Sequence, residues 1–297
     1  MNVVEVSHVS KSFKDVKVVD NVSFTIGQGE VFGMVGPNGA GKTTTIRMLM
    51  DIIKPDSGEM KILGESINEG IKNSIGYLPE ERGLYKKLTV SESLEYLAAL
   101  KGIKRRSARE SAETLLKRVN MLSHKEKKIE ELGHGMGQLI QFVATILHDP
   151  ALVVFDEPFV ALDPVNTQLL KELILELKSR GKSIILSTHM MNQVEELCDR
   201  ILMINKGQAV LYGNLAEIKS KYRNNSVFLE CDRLPEGLPG VVGNKQHLKY
   251  MELFLDGRTS PQNVLSALIN KGVKVDRFEV STPSLNEVFI QVVKESR

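Results

Sequence analysis

Apolar and polar residues alternate through the first thirty positions, with Val4 and Val6 and then Val22, Phe24 and Ile26 in phase, and Gly27 and Gly29 break the pattern. A period of two predicts half-buried strands, here an antiparallel β layer. The pattern then changes. Val31-Phe32-Gly33-Met34-Val35, Leu152 to Phe155 and Ile184 to Leu186 are nearly continuous apolar runs, the mark of strands buried on both faces of a parallel sheet. Other stretches follow the helical period. Thr43 to Met50 predicts a helix directly after the first apolar run, and Asn166 to Ser179 predicts another between the second and third. From Thr89 to about His148 the spacing of Leu94, Leu97 and Leu100, and of Leu115, Leu116 and Val119, predicts a helical insert. Within it Leu139, Phe142, Val143, Ile146 and Leu147 keep the i, i+3, i+4 spacing of an amphipathic helix, just after the glycine-bearing segment Gly133-His134-Gly135-Met136-Gly137.

The polar stretch Lys219 to Asn225 predicts a boundary, with a first domain over residues 1–220 and a smaller one over 226–297. In the second, strand-like runs at Val227 to Leu229, Tyr250 to Leu255 and Val273 to Val280 alternate with two helices. These are expected to begin at Ser260-Pro261 and Thr282-Pro283, where a hydroxyl residue precedes a proline. A chain of 297 residues with 42% hydrophobic content suits two domains and a large core. Lys and Arg number 39 against 37 Asp and Glu, and a net charge of +2 gives no electrostatic argument for a nucleic-acid partner. Cys198 and Cys231 stand alone, without disulfide or zinc spacing, which fits a reducing compartment. The longest apolar runs fall far short of the about 20 residues that span a bilayer. The N-terminus also lacks the basic and apolar segments of a signal peptide, and the expected location is cytoplasmic.

The chemistry is concentrated in a few segments. Gly36-Pro37-Asn38-Gly39-Ala40-Gly41-Lys42-Thr43-Thr44 is a complete G-x-x-x-x-G-K-T phosphate loop between a predicted strand and a predicted helix, the setting of a nucleoside triphosphate site. Its glycines let backbone N–H groups converge on phosphate oxygens, and the helix start adds its positive dipole end. Lys42 is placed to reach the terminal phosphates and Thr43 to offer its hydroxyl to Mg²⁺. Asp156 and Glu157 end a buried strand, at the sheet edge where ligands collect. Asp156 is expected to hold Mg²⁺ through water, and Glu157 to accept hydrogen bonds from the water that attacks the γ-phosphate, as its general base or at least its orienter. His189 follows Ser183 to Thr188, also at a strand's carboxyl end, and is placed to donate a hydrogen bond to that phosphate.

Taken in order, the phosphate loop, the glycine segment Leu132 to Gln138, Asp156-Glu157, Asp163 and His189 resemble the nucleotide-binding subunit of an ATP-binding cassette transporter over about residues 1–220. The resemblance implies an α/β fold, a P-loop NTPase parallel sheet with an antiparallel β layer and a helical subdomain at about 86–148. A small α+β domain at the C-terminus resembles the accessory domain of sodium-export and antibiotic-export cassettes, through Pro283-Ser284-Leu285-Asn286-Glu287-Val288-Phe289. The resemblance further implies ATP and Mg²⁺ as ligands and a separate transmembrane permease subunit as partner, on the cytoplasmic face of the membrane. It implies a head-to-tail homodimer or paired cassette, in which Gly133, Gly135 and Met136 of one copy meet the ATP held by the other. Phe13 would stack on adenine, Glu80 would sense Mg²⁺ and couple to the permease, and Asp163 would cross the dimer interface.

Three positions depart from the family. Gly133 stands where the signature has serine, and Val160 and Ala161 stand where serine and glycine are usual. Glu80 replaces a glutamine, as it often does in this subtype. The absent serine hydroxyl removes a hydrogen bond to a charged group worth roughly 1.5–3 kcal/mol, which predicts weakened rather than absent hydrolysis. A nucleotide-gated module without useful catalysis is the alternative from another class. A G protein is disfavoured, because Asn205-Lys206-Gly207-Gln208 lacks the aspartate that would read guanine.

Overall fold

The alternating N-terminal residues form two long antiparallel strands, β1 (Asn2–Phe13) and β2 (Val16–Gly27), to which β4 (Ser57–Ile62) adds in the order β2-β1-β4. The continuous apolar runs become β3 (Val31–Val35), β6 (Leu152–Asp156) and β7 (Ser183–Thr188), three fully buried strands of a six-stranded sheet. This computed structural model describes residues 1–81, 83–222 and 225–295 and divides into two units, Met1–Leu215 and Ala216–Lys294. Of the polar stretch expected at the boundary, Arg223 and Asn224 lie outside the described residues.

In the first unit the large sheet runs β5 (Ile75–Leu78), β6, β7, β3, β8 (Arg200–Asn205), β9 (Gln208–Asn214). The first five strands are parallel and β9 closes the edge antiparallel to β8. Register aligns Val35 with Thr188, Asp156 with Ser187 and Leu78 with Phe155. The residues that follow β3, β5, β6 and β7 therefore emerge along one edge, the carboxyl edge where ligands bind in open α/β sheets. The antiparallel layer shares a core with this sheet: Val4, Val6, Val22 and Ile26 pack with Met34, Ile185 and Leu202, and the rings of Phe24 and Phe32 stack at 5.4 Å. Helix α1 (Lys42–Leu49) inserts Ile46 and Leu49 into that core.

Short α2 (Glu69–Asn73) precedes β5, and the helical insert follows it. It holds α3 (Val90–Leu100), opened by a reciprocal Thr89–Glu92 cap, then α4 (Arg105–Arg118), two 3₁₀ turns and α5 (His134–Ile146). Phe142 of α5 stacks on Phe155 of β6 at 5.1 Å, and truncating such a ring costs roughly 3–5 kcal/mol. Helix α6 (Pro164–Ser179) joins β6 to β7 and starts two residues before the expected Asn166, because Asp163 caps it and Pro164 occupies its first position. Helix α7 (Met191–Leu197) completes the series in the first unit, and α8 (Leu215–Lys221) opens the second.

The second unit is a four-stranded antiparallel sheet, β10 (Ser226–Cys231), β11 (Val241–Gln246), β12 (Met251–Leu255) and β13 (Val275–Val280), in the order β11-β12-β10-β13. Helix α9 (Pro261–Asn270) starts after Ser260, whose hydroxyl accepts from Asn263 N at 3.3 Å, and its Val264 and Leu268 share a core with Val227, Leu229, Leu253 and Leu255. Helix α10 (Leu285–Glu295) begins at Leu285 rather than at the expected Pro283. The cap is Ser284, which accepts from Glu287 N at 3.2 Å while Glu287 Oε2 accepts from Ser284 N at 2.8 Å, a capping box that outcompetes the Thr-Pro signal. No helix among the described residues is long and apolar enough to cross a membrane.

Candidate functional site

The loop from Gly36 to Thr44 turns the chain from β3 into α1 by close backbone approach. A Cβ on Gly36 would stand 2.1 Å from Ile204 O, and one on Gly41, at φ +109°, would stand 2.6 Å from Val18 O. Helix geometry leaves the first-turn N–H groups of α1 without helical acceptors, and the ladder begins only where Thr45 N meets Gly41 O at 2.9 Å. Those N–H groups face a cavity of about 300 Å³ lined by Val18, residues 38–44, Glu80 and Glu157. Lys42 is 5% exposed and folds over its own loop, donating to Gly36 O at 2.8 Å and Pro37 O at 3.2 Å. Burial pushes the Lys42 ammonium below its ordinary pKa, and the charges of Glu157, Asp156 and Glu80 push it back up. One cation thus faces three carboxylates in an electrostatic cluster that an incoming polyphosphate joins.

Asp156 is fully buried, and neither carboxylate oxygen has a hydrogen-bond partner; the neighbouring Ser187 Oγ is unpartnered as well. Burial raises the Asp156 carboxyl above its usual range, while the hydroxyls of Ser187 and Thr43 act in the opposite direction. Glu157, 6% exposed, sits at φ +52°, in the left-handed region that a non-glycine residue adopts at a cost. Glu157 N bonds Ser187 O at 2.9 Å; Oε2 accepts from Thr188 Oγ1 at 3.0 Å; Oε1 accepts from His189 N at 3.0 Å and meets His189 Nδ1 at 2.9 Å. An ionised carboxylate only accepts, so Nδ1 carries the proton of that bond and Nε2 of a neutral ring is left as an acceptor. For Nε2 also to donate to a phosphate, the ring has to be the imidazolium.

The glycine segment and the 158–163 loop form a second cluster. Gly133, exposed, is the N-cap of α5 and supplies no side-chain cap; at φ −62° a Cβ there would meet nothing within 4 Å. Gly135 differs, since its Cβ would stand 2.9 Å from Ala161 O. Gln138 ties the same turn to the loop by donating to Pro158 O at 3.1 Å, and Met136 is half-buried beside it in sequence. Ala161 stands at φ +63°. Asp163 accepts from Asn166 N at 2.9 Å and Asn166 Nδ2 at 2.5 Å, and those bonds hold its carboxyl below the usual pKa.

The structure therefore brings Asn38, Gly39, Ala40, Gly41, Lys42, Thr43, Thr44, Glu80 and Glu157 to one cavity, with Asp156 buried close by and His189 bonded to Glu157. Gly133, Gly135, Met136 and Asp163 are not among its lining residues, nor is Phe13. Phe13 is 47% exposed at the end of β1, with Lys11 Nζ 5.7 Å from its ring centre. Sequence reasoning missed Val18 in the lining, Ser187 and Thr188 around the carboxylates, and Gln141. The last is buried on α5 and donates to Pro79 O at 2.9 Å and Glu81 O at 3.4 Å, so it pins the backbone on both sides of Glu80. A polar residue inside the apolar face of a predicted helix was the available signal. Beyond this loop lies a second cavity of about 420 Å³, mostly apolar, whose lining includes Ile75, Tyr77, Pro79, Leu97, Leu100 and Lys101.

Comparison with known proteins agrees with this arrangement. Residues 19–160 match the family model described as ABC transporter, and residues 213–293 match that of the ATP-binding protein DrrA1-3-like C-terminal domain. The chain is 41% identical over 291 residues to the uncharacterized ABC transporter ATP-binding protein YhaQ of Bacillus subtilis, covering 97% of each chain. It is 37% identical to the Nod factor export ATP-binding protein I of Rhizobium sp., covering 71% of this chain and 70% of that one. A solved structure of an ATP-binding subunit of an ABC transporter superposes with a TM-score of 0.70 at 30% identity, over 74% of this chain and 93% of that one. The triphosphate loop, the paired carboxylates at the sheet edge and these likenesses agree: the chain belongs to the ATP-binding subunits of ABC transporters, an ATPase family that works with membrane permease components.

Proposed function

We propose that this subunit binds ATP with Mg²⁺ in the cavity beside Lys42, pairs with a second cassette, and drives export through a separately encoded permease at the cytoplasmic face of the membrane. The observation that carries the reading is the meeting of Lys42, Glu80, Asp156 and Glu157 around one loop of free N–H groups. Two buried, unpartnered Asp156 oxygens beside an unpartnered Ser187 hydroxyl are what a water-coordinated magnesium ion satisfies, with Thr43 and Glu80 as its other neighbours. When bound, that ion offsets the charge of the β- and γ-phosphates.

The chain's own residues do the rest. The loop N–H groups and Lys42 hold the phosphates. Glu157, immobilised by Thr188 and His189, accepts a proton from the attacking water or orients it, and His189 as imidazolium bridges that carboxylate to the γ-phosphate. Gly133, Gly135, Met136 and Asp163 stay outside the cavity lining and complete the site from the partner cassette. Phe13 serves as the adenine platform from its exposed position. The groove beside Pro79 and Gln141 receives a cytoplasmic segment of the permease, which places Gln141 between that segment and Glu80. Residues 1–220 act as the cassette and 226–297 as a stabilising or dimerising appendage.

Gly133 supports a second reading, a cassette that binds ATP and gates its partner without turnover. Mg-ATP binding and phosphate release by the purified chain and by Lys42→Ala test both. Binding that Lys42→Ala abolishes, with slow release in the parent, is expected. Unchanged nucleotide binding in Lys42→Ala removes the proposed site, and binding without any release favours the gating module.

A further inference from the structure

The whole-chain charge balance conceals a local excess. Of 39 Lys and Arg, 12 lie in residues 86–128, against 5 of the 37 Asp and Glu, so this stretch holds +7 and the rest of the chain −5. Ion pairing does not absorb the excess. Glu95 serves both Arg105 and Arg109 at 2.8 Å, Arg106 pairs with Glu110 at 3.1 Å, Lys125 with Glu113 at 2.7 Å, and Arg118 reaches Glu176. Among the described residues, Lys86, Lys87, Lys104, Lys117, Lys127 and Lys128 have no carboxylate within 4.0 Å, and all six are exposed.

These cations gather at the two ends of α3, which are about 16 Å apart for an 11-residue helix. At its start, backbone bonds from Glu130 N to Lys86 O at 3.0 Å and from Val90 N to Lys127 O at 3.0 Å bring Lys86 and Lys87 beside the 125–128 segment. At its end, Lys101 and Lys104 turn the chain into α4. Arg105 and Arg106 then occupy the first turn of α4 with no acidic residue there, at the positive end of the helix dipole, where they destabilise the helix they open. Between the two cationic ends α3 exposes Tyr96 and Leu100, and Tyr85 meets Tyr96 edge-on at 5.2 Å. Half-exposed tyrosines, a bare leucine and lysines with long stems are the composition of a bilayer–water interface.

Leu97, Leu100 and Lys101 also line the 420 Å³ groove, so the patch is continuous with it. We propose that the α3 surface, with its flanking cations, rests on anionic phospholipid headgroups, so that the subunit docks on permease and bilayer together. This rests on the reading that the groove receives the permease, which sets that side toward the membrane.

The test is co-sedimentation of the purified full chain, without permease, with vesicles of phosphatidylcholine or of phosphatidylcholine mixed with phosphatidylglycerol. Binding to the mixed vesicles alone, falling steeply with salt, is expected. Each cation near an anionic surface is worth about fivefold in partition, so K86Q/K87Q/K104Q/K127Q is expected to lose about two orders of magnitude or more with unchanged thermal unfolding. A second variant, K14Q/K61Q/K245Q/K249Q, removes the same charge from exposed positions elsewhere and is expected to keep most of the binding. Equal loss in the two variants, equal binding to neutral vesicles, or tighter binding to a single-stranded RNA oligomer than to anionic vesicles overturns the proposal. Co-purification with the permease from detergent reads the groove separately. Permease retained by a chain that ignores vesicles defeats only the lipid contact; vesicles bound by a chain that retains no permease defeats the docking reading on which it stands.

Discussion

The loops at 36–44 and 132–137 are both glycine-rich approaches to a helix, yet they are built in opposite ways. Backbone carbonyls press on the first, leaving no room for a Cβ at Gly36 or Gly41, and its lysine is buried under carboxylates. Around Gly133 there is open space and an ordinary φ, and the helix it starts has no side-chain cap. The first loop is complete within one chain; the second presents a bare helix end. Glycine is a steric necessity at 36 and 41 and a vacated side-chain position at 133, so the absence of serine at 133 follows from no constraint of this fold.

The sharpest way to break this comparison is at the complete half. Glu157→Gln keeps shape and the Thr188 contact but removes the proton acceptor, and general-base catalysis is worth about 10²–10⁴ in rate. Phosphate release is expected to fall by that factor while ATP binding persists and dimers accumulate in size-exclusion chromatography with ATP. A rate within twofold of the parent would show that Glu157 only supports the fold. Next in size is a paired substitution. Gly36→Ala drives a Cβ into Ile204 O and is expected to cost roughly 3 kcal/mol or more, whereas Gly133→Ala costs roughly 0.5 kcal/mol, the difference between two poor N-caps. Urea midpoints for the two would separate the loops, and similar losses would refute the distinction.

Gly133→Ser addresses the open half directly. Its side chain fits without strain, so stability is expected to change by only a few tenths of a kcal/mol, through a better N-cap. Turnover is expected to rise by about tenfold to just over a hundredfold if the restored hydroxyl bonds the γ-phosphate held by the partner cassette. A variant with unchanged turnover and a raised melting point would show that serine acts only as a cap here.

What the sequence revealed, and what it withheld, divides along physical lines. Continuous apolar runs betrayed β3, β6 and β7, because strands buried on both faces have no polar positions to disguise them. Strands β4, β5, β8, β9 and β11 went unread. The residues of β4, β9 and β11 are mostly exposed or half-buried, and these are strands only because a neighbour supplies the hydrogen bonds; β5 and β8 are short, largely buried runs that were overlooked. Helix α10 was placed two residues early, since Thr282-Pro283 and Ser284 compete as starts and only the reciprocal Glu287 contact decides. At the site, the phosphate loop and the Asp156-Glu157 pair are contiguous and therefore legible. Gln141, Ser187 and Thr188 reach the carboxylates and the Glu80 loop only through tertiary packing; a polar residue in the apolar face of its helix hints at Gln141, and no local pattern marks the other two.

Strain offers the smallest and most exacting test. Between the two loops runs the segment from Glu157 to Asp163, with Glu157 at φ +52° and Ala161 at φ +63°. Both lie where a Cβ is disfavoured by about 1 kcal/mol or more, but only Glu157 carries chemistry that justifies the cost. Ala161 has none, and its carbonyl faces Gly135 across a gap too narrow for a Cβ. Ala161→Gly is therefore expected to relax the backbone without moving the carbonyl, stabilising the chain by roughly 0.5–1 kcal/mol after the extra freedom of glycine in the unfolded state is counted. A melting point higher by about 1–4 °C would be the sign. A lower one would mean that the left-handed turn is held by contacts of the alanine methyl, and that the segment joining the two loops is stiff rather than strained.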